Sequence, residues 1–292
     1  MQLTFTKGHG TENDFVLLPD LDATLDLTAE QVRRITDRHA GIGADGVIRV
    51  VRTRDVPEVA DQAGAAEWFM DYRNADGSAA EMCGNGVRVF VAYLLREKLL
   101  DGVDWTGGVL AVATRAGTKH VRIEEADHLA VDLGAWQVVG GQQALDDGGD
   151  CQVALPGTDG LVAALSLDLG NPHTVVMLPN EPDLEALDLS TAPTVIPEPP
   201  NGTNVEFVVL VSSGHVRMRV HERGVGETRS CGTGAAAAAL AARAWVSVAG
   251  GGEVDLWRVD VPGGTLLVRL SAEGTVELAG PAELVADGTL TL

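Results

Sequence analysis

Two of the three cysteines in this 292-residue chain lie in nearly the same local sequence. Cys83 is followed by Gly-Asn-Gly and Cys231 by Gly-Thr-Gly, and each precedes a run of apolar residues typical of a helix. A thiol at a helix N-terminus meets the positive end of the helix dipole and unpaired backbone N–H groups, which lower its pKa and favour the thiolate. The glycines let backbone N–H groups approach a bound anion such as a carboxylate. Both cysteines are therefore candidate acid/base groups.

The surroundings of the two cysteines indicate an internal duplication. The cysteines lie 148 residues apart, about half of the chain, and a polar residue, Asn74 or Glu222, lies nine residues before each of them. We interpret the chain as two diverged copies of one unit, with the cysteines facing each other across a pseudo-twofold axis. Such a pair suits the inversion of a stereocentre, in which one thiolate removes the Cα proton and the other thiol returns a proton to the opposite face.

Composition narrows the possible partners and cofactors. The net charge of −21 argues against nucleic acid and against an anionic membrane surface. The N-terminus lacks the apolar region of a secretion signal and no apolar run approaches roughly 18 residues, so a cytoplasmic location is predicted. Neither Cys83 nor Cys231 has a second cysteine or histidine at ligand spacing, so no metal is expected. Cys151 lacks the Gly-x-Gly and is predicted to be a small buried hydrophobe.

The elements that must position the cysteines form a strand-rich α+β pattern. Thr28 with Gln31 predicts a capping box at the start of a helix. Two stretches, 141–150 and 190–204, are predicted to be loops, the second because it contains four prolines. The segment after Cys83 carries apolar residues at the spacing of a buried helical stripe, namely Val87, Phe90, Val91, Leu94 and Leu95.

Six ordered segments resemble the diaminopimelate epimerase family, and together they extend over nearly the whole chain. They are KGHGTENDF at 7–15, DRHAGIGADG at 37–46, NADGSAAEMCGNGVR at 74–88, GNPH at 170–173, GTNVEF at 202–207 and ERGVGETRSCGTGA at 222–235. The resemblance implies an epimerase that interconverts LL-2,6-diaminopimelate and meso-diaminopimelate without pyridoxal phosphate or metal. Its product would supply lysine and peptidoglycan precursor synthesis.

The resemblance also implies the architecture. The family's fold is two pseudo-symmetric domains, each a mixed β-sheet wrapped around a central helix, with the active site in the cleft and usually a homodimer. The expected halves are residues 1–126 together with 280–292, which contain Cys83, and residues 127–279, which contain Cys231. The last strand of the chain is expected to return to the first half.

Roles of single residues follow from the same resemblance. Cys83 and Cys231 would be the two acid/base groups, with His173 and Glu222 helping to set their protonation. Arg223 would pair with the carboxylate at the non-reacting end of the substrate, for which a planar guanidinium is suited. The remaining substrate-binding positions implied are Asn13, Asn74, Asn171 and Asn204, the side chain of Glu222, and the backbone groups of Gly84, Asn85, Gly232 and Thr233.

Departures from the family pattern leave alternatives open. Thr11 and Glu12 stand where the family commonly has Leu-Gly, and Gly46 stands where some relatives carry a substrate-contacting glutamine. The nearest rival is a proline or hydroxyproline racemase, in which Gly-His-Gly usually follows the first cysteine and Arg223 would have no second carboxylate to bind. Two further alternatives remain. One is a non-catalytic protein of the same fold, which the presence of both cysteines argues against; the other is a thiol redox switch.

Overall fold

The chain divides into two units of similar size. The computed structural model describes residues 2–125, 128–155, 160–252 and 254–292. The first unit consists of Met1–Asp132 together with Gly280–Leu292, and the second of Leu133–Ala279. The predicted boundary between residues 126 and 127 falls outside the described residues.

The first unit is a mixed sheet with one long helix. Its strands are β1 (Gln2–Gly10), β2 (Asn13–Pro19), β3 (Gly46–Arg52), β4 (Trp68–Asn74), β5 (Val109–Ala113), β6 (Lys119–Glu125) and most of β7 (His128–Ala135). Its α-helices are α1 (Ala29–Thr36) and α2 (Gly84–Arg96), and 3-10 turns cover Thr53–Asp55, Pro57–Gln62 and Thr106–Gly108. The pairs β2–β3 and β4–β5 are parallel and the other neighbours are antiparallel.

Helix α2 lies at the centre of the first unit. It packs against strands β1, β2, β3, β4 and β6. The predicted apolar stripe is buried at Val87, Phe90, Val91 and Leu94. Burial extends further round the helix than the stripe predicts, because the sheet wraps around α2 and covers Val89 and Arg88 as well.

The second unit contains the remaining elements. Its strands are β8 (Gln137–Val138), β9 (Cys151–Ala154), β10 (Leu161–Asp168), β11 (Pro172–Leu178), β12 (Thr194–Ile196), β13 (Asn204–Ser212), β14 (His215–Glu222), β15 (Gly226–Thr228), β16 (Leu256–Val261), β17 (Gly264–Leu270) and most of β18 (Thr275–Pro281). Its helices are α3 (Gly141–Asp146), α4 (Glu181–Ala186) and α5 (Gly232–Val248). The chain ends with β19 (Glu283–Thr291), which pairs with β1 in the first unit.

Helix α5 occupies the centre of the second unit as α2 does in the first. It packs against β10, β11, β13, β14, β16 and β17. Its first turns are built from glycine and alanine, and Ala235 through Ala239 are fully buried. The small side chains let the surrounding strands approach the helix closely. Each unit is thus a mixed sheet around a central helix, and the predicted α+β class is confirmed.

Strand register makes the duplication concrete. The antiparallel pair β1–β2 followed by parallel β3 recurs as β10–β11 followed by parallel β13. Phe15 lies opposite Gly46 in the first unit, and His173 lies opposite Asn204 in the second. This register makes three pairs of positions equivalent: Asn13 with Asn171, Phe15 with His173, and Ile48 with Glu206.

The predicted helix cap is present, whereas both predicted loops contain regular secondary structure. The capping box of α1 is present, since Thr28 Oγ1 accepts from Gln31 N at 3.2 Å and Gln31 Oε1 accepts from Thr28 N at 2.9 Å. The predicted loop 141–150 instead contains α3, and the predicted loop 190–204 contains β12, which pairs with β9. Cys151 begins β9. None of the helices in the described part of the chain has the length and apolar character needed to cross a membrane.

Candidate active site

Cys83 is the N-cap of α2. Its backbone is extended, at φ −144° and ψ 120°, and its Sγ accepts a hydrogen bond from the N–H of Gly86 at 3.4 Å. The Cys83 thiol also donates to Asn13 Oδ1 at 3.6 Å. The sulfur is half-buried and lies beside the first-turn N–H groups of the helix, where a negative charge is favoured. The structure therefore places Cys83 at the helix N-terminus that the sequence predicted.

Asn13 connects Cys83 to the rest of the first unit. Its Oδ1 also accepts from Asn85 Nδ2 at 3.1 Å, so Asn13 links the side chains of Cys83 and Asn85 in one cluster. On the other side, Asn13 Nδ2 donates to Asp45 Oδ2 at 2.7 Å. Burial, followed by the charge of neighbouring Asp14, raises the pKa of Asp45. Asp45 therefore fixes the orientation of the Asn13 amide.

The Asn74 side chain is bound within its own turn. It ends β4, and its Nδ2 donates to Ser78 Oγ at 3.1 Å within a turn that also pairs Asn74 N with Ser78 O at 3.0 Å. Across β3, Asn74 lies opposite Gly46. In the described part of the chain, the Asn74 side chain thus bonds within its own turn and not to Cys83.

Cys231 is the N-cap of α5 and is more deeply buried than Cys83, with 7% of its surface exposed. Its Sγ lies 3.7 Å from Thr233 Oγ1, which accepts from Asn171 Nδ2 at 3.3 Å. Burial raises the pKa of the Cys231 thiol well above its ordinary value, and the carboxylates of Glu222 and Glu206 act in the same direction. The sequence-based expectation of a lowered pKa is wrong for Cys231, because burial and two carboxylates outweigh the helix N-terminus.

A buried, hydrogen-bonded pair of a histidine and a carboxyl group lies beneath the first turn of α5. His173 Nδ1 and Glu206 Oε1 are 2.7 Å apart, and both side chains are fully buried on adjacent parallel strands. A Cβ added at Gly234 would lie 2.7 Å from Glu206 Oε1 and 3.2 Å from Cys231 Sγ. The carboxylate and the thiol therefore approach the helix at the same point.

Asn204, Arg223 and Glu222 also belong to the second unit. Asn204 Oδ1 accepts from the backbone N–H of Arg223 at 2.9 Å. The Arg223 side chain is exposed, and its Nη1 donates to Asn201 O at 2.7 Å. Glu222 is half-buried and accepts from Thr228 Oγ1. The structure thus brings Asn171, Thr233 and Cys231 together and holds Arg223 on Asn204.

Sequence reasoning missed two buried charged residues near the cysteines. Glu206 lies within GTNVEF and Arg88 ends the segment around Cys83, and the sequence motifs predict a role for neither. Each interrupts an otherwise apolar run, in NVEFVVLV and VRVFVAYLL. A charged residue inside a buried run is rare unless it is paired or used, and this was the available signal. Among the described residues, no group of three or more His, Cys, Asp or Glu side chains could hold a metal ion.

The fold is shared with solved structures of very different sequence. A phenazine biosynthesis protein of the PhzF family from Bacillus anthracis aligns over 100% of both chains with a TM-score of 0.69 and 17% identity. At this identity the likeness concerns the fold alone, and it defines the class: two-unit α+β proteins with a helix inside each sheet.

Sequence comparison then identifies the family. A sequence profile described as diaminopimelate epimerase matches residues 5–139 and 165–285. The diaminopimelate epimerase of Streptomyces coelicolor is 47% identical, over 98% of this chain and 95% of its own length. That of Thermobifida fusca is 46% identical, over 99% and 98%. The chain belongs to the diaminopimelate epimerase family of isomerases, as the sequence motifs indicated.

Proposed function

We propose that this chain interconverts LL-2,6-diaminopimelate and meso-diaminopimelate by proton transfer between Cys83 and Cys231. The observation that carries the proposal is the paired placement of these residues, each the N-cap of the central helix of its unit and each followed by Gly-x-Gly. Membership of the family supplies the substrate, since relatives at 47% and 46% identity bear the name diaminopimelate epimerase.

The reaction needs only acid/base chemistry. One sulfur, as thiolate, takes the Cα proton, and the C–H electron pair passes into the substrate carboxylate as negative charge. The other cysteine, as thiol, gives its proton to the opposite face of Cα and becomes the thiolate. The substrate regains a neutral carbon of inverted configuration, and the proton count is unchanged. First-turn N–H groups at Gly84, Asn85, Gly232 and Thr233 are suited to the charge that builds on the carboxylate.

His173 and Glu222 tune the second cysteine. Glu222 favours the protonated form of Cys231 by its charge. His173 is paired with Glu206, the carboxylate beside Cys231. Held as a thiol, Cys231 is suited to donate the proton to Cα. Before it can do so again, Cys231 must regain a proton by exchange with water or from substrate.

Arg223 is proposed to bind the distal carboxylate of the substrate. Its backbone is anchored by Asn204 and its side chain is exposed. Among the described residues, only Nη1 of its guanidinium has a protein partner, namely Asn201 O. Two nitrogens thus remain to bind a carboxylate. The remaining proposed substrate contacts are Asn13, Asn74 and Asn171, with Glu222 placed beside Cys231. We also propose a cytoplasmic homodimer that uses neither pyridoxal phosphate nor metal.

Proton exchange in heavy water tests the proposal. LL-Diaminopimelate incubated with the protein is expected to gain deuterium at Cα and to convert to the meso form, followed by NMR and chiral chromatography. Cys83→Ala and Cys231→Ala are each expected to lower the rate at least a hundredfold, the low end of what general acid–base catalysis contributes. Cys151→Ala is the matched control, because Cys151 contacts Ala164 O and Ser166 at the start of β9.

Specific outcomes would contradict the proposal. If either Ala variant kept more than about a hundredth of the activity, the two-base account would fail. Turnover of proline in place of diaminopimelate would favour the one-carboxylate racemases. Reversible thiol cycling without any exchange at Cα would instead indicate a redox switch.

A further inference from the structure

Arg88 is an unusual feature of the first unit. It lies in α2 with no exposed surface, and one of its nitrogens, Nη2, donates to Asn85 Oδ1 at 3.0 Å. Its Nε and Nη1 are buried with no hydrogen-bond partner among the described residues. An unpaired guanidinium in a protein interior is unfavourable unless an anion lies close by. Arg88 therefore indicates a nearby negative charge, and no carboxylate among the described residues is paired with it.

Cys83 can carry that charge, and its charge acts on Arg88. Asn85 joins the two, because it bonds Arg88 through Oδ1 and Asn13 through Nδ2, and Asn13 contacts the Cys83 sulfur. Gly10 makes room for the guanidinium, since a Cβ there would lie 3.0 Å from Arg88 Nη2. When Cys83 is a thiolate, its sulfur still accepts a hydrogen bond from the Gly86 N–H at 3.4 Å.

Arg88 remains charged at neutral pH despite its burial. Burial lowers the pKa of Arg88 to about 10, and the charge of Cys83 acts in the opposite direction. Four other charged groups of the first unit are connected to Asn13 through Asp45. They bind one another as a network of two cations and two carboxylates, Lys7, Arg38, Asp14 and Asp45. Arg88, unlike Lys7 and Arg38, has no ion pair with a carboxylate among the described residues.

The second unit has the opposite arrangement at equivalent positions. Five residues after Cys231, where Arg88 follows Cys83, stands the buried Ala236. Where the first unit has Ile48, the second has the buried carboxylate of Glu206. The two units therefore place charges of opposite sign beneath otherwise similar cysteines.

We propose that Arg88 is a positioning residue whose buried guanidinium is the counter-charge of the Cys83 thiolate. Cys83 is then the deprotonated thiol before substrate binds, and Cys231 the protonated one. The assignment rests on the proposed function for its catalytic meaning, but the charge pairing can be measured without substrate.

The test is the pH dependence of alkylation at each cysteine. The protein is treated with iodoacetamide, a neutral reagent, from pH 5 to pH 10, and peptide mass spectrometry follows Cys83 and Cys231 separately. In the unmodified protein the pH midpoint for Cys83 is expected below that for Cys231. In Arg88→Met, alkylation of Cys83 at pH 7 is expected to fall at least about tenfold, the change that one pKa unit produces, while the Cys231 midpoint stays unchanged.

Two further variants separate charge from structure. Arg88→Lys keeps a cation and is expected to restore part of the Cys83 reactivity. Arg96→Met, on the same helix but paired with Asp287, is the matched control and is expected to leave the Cys83 midpoint unchanged. A folded Arg88→Met protein with an unchanged Cys83 profile would overturn the proposal.

The outcome is decisive even if Arg88→Met fails to fold. The unmodified protein then decides, since a Cys83 midpoint at or above that of Cys231 also overturns the proposal. Because the assay contains no diaminopimelate, failure of the epimerase reaction and failure of the charge pairing give different results.

Discussion

Two glycines at equivalent positions, Gly86 and Gly234, are expected to respond oppositely to alanine. Each is the third residue after its cysteine and lies in the first turn of its helix. A Cβ at Gly86 would make ordinary contacts, at 3.4 Å to Cys83 Cβ and 3.5 Å to Ile48 and Phe15. A Cβ at Gly234 would lie 2.7 Å from Glu206 Oε1 and 3.2 Å from Cys231. The first site accepts a methyl group and the second does not.

The magnitude follows from two effects of opposite sign. Alanine is favoured over glycine in a helix by up to about 1 kcal/mol, and this gain is similar at both positions. The contact at Gly234 cannot be relieved easily, because Glu206 is fully buried and held by His173 at 2.7 Å. Overpacking of such a site is unfavourable by about 1–3 kcal/mol. Gly86→Ala should therefore leave stability unchanged or raise it by up to about 1 kcal/mol, with Gly234→Ala less stable than Gly86→Ala by about 1–3 kcal/mol.

Urea unfolding followed by circular dichroism measures the difference. The comparison between the two variants cancels the helix-propensity gain, so it isolates the contact with Glu206. The slope of the unfolding free energy against urea concentration should be the same in both variants, which would show that they unfold by the same transition. Equal urea midpoints for Gly86→Ala and Gly234→Ala would refute the reasoning, because they would mean that Glu206 can move away from the added methyl group without loss of stability.

Three further predictions concern substrate binding, pH and oxidation. Arg223→Lys keeps the charge but loses the planar two-bond contact, so KM for diaminopimelate should rise; an unchanged KM would place Arg223 away from the distal carboxylate. Because burial raises the pKa of Cys231, the folded state holds this proton more tightly than the unfolded chain does. The free energy of unfolding should then fall as pH rises above about 8.5, by up to about 1.4 kcal/mol per pH unit. Cys231→Ala should lack this part of the pH dependence. Equal slopes of unfolding free energy against pH in the two proteins would contradict this. Cys83 and Cys231 are free thiols, so activity should fall in air and return with dithiothreitol, whereas EDTA should have no effect; loss of activity on chelation would show that a metal carries the chemistry.

Features that depend on a few neighbouring residues could be predicted from the sequence. The capping box of Thr28 and Gln31 is such a feature, as are the helix starts at Cys83 and Cys231. Strand β12 could not be predicted, because its three residues lie between prolines and become a strand only by pairing with β9. Its hydrogen bonds come from a segment about forty residues away, and no local pattern records that pairing.

The sequence by itself determined that two cysteines share a helix-capping position, because Cys-Gly-x-Gly before an apolar run is local information. It could not determine which residues lie beneath each cap. Only the register of β2 with β3 and of β11 with β13 places Phe15 and Ile48 under one helix, and His173 and Glu206 under the other. The pKa of Cys231 then depends on burial and on carboxylates distant in sequence, whose effect is strong because little water screens them. Similar motifs thus acquire different electrostatic surroundings, because charges act through space rather than along the chain.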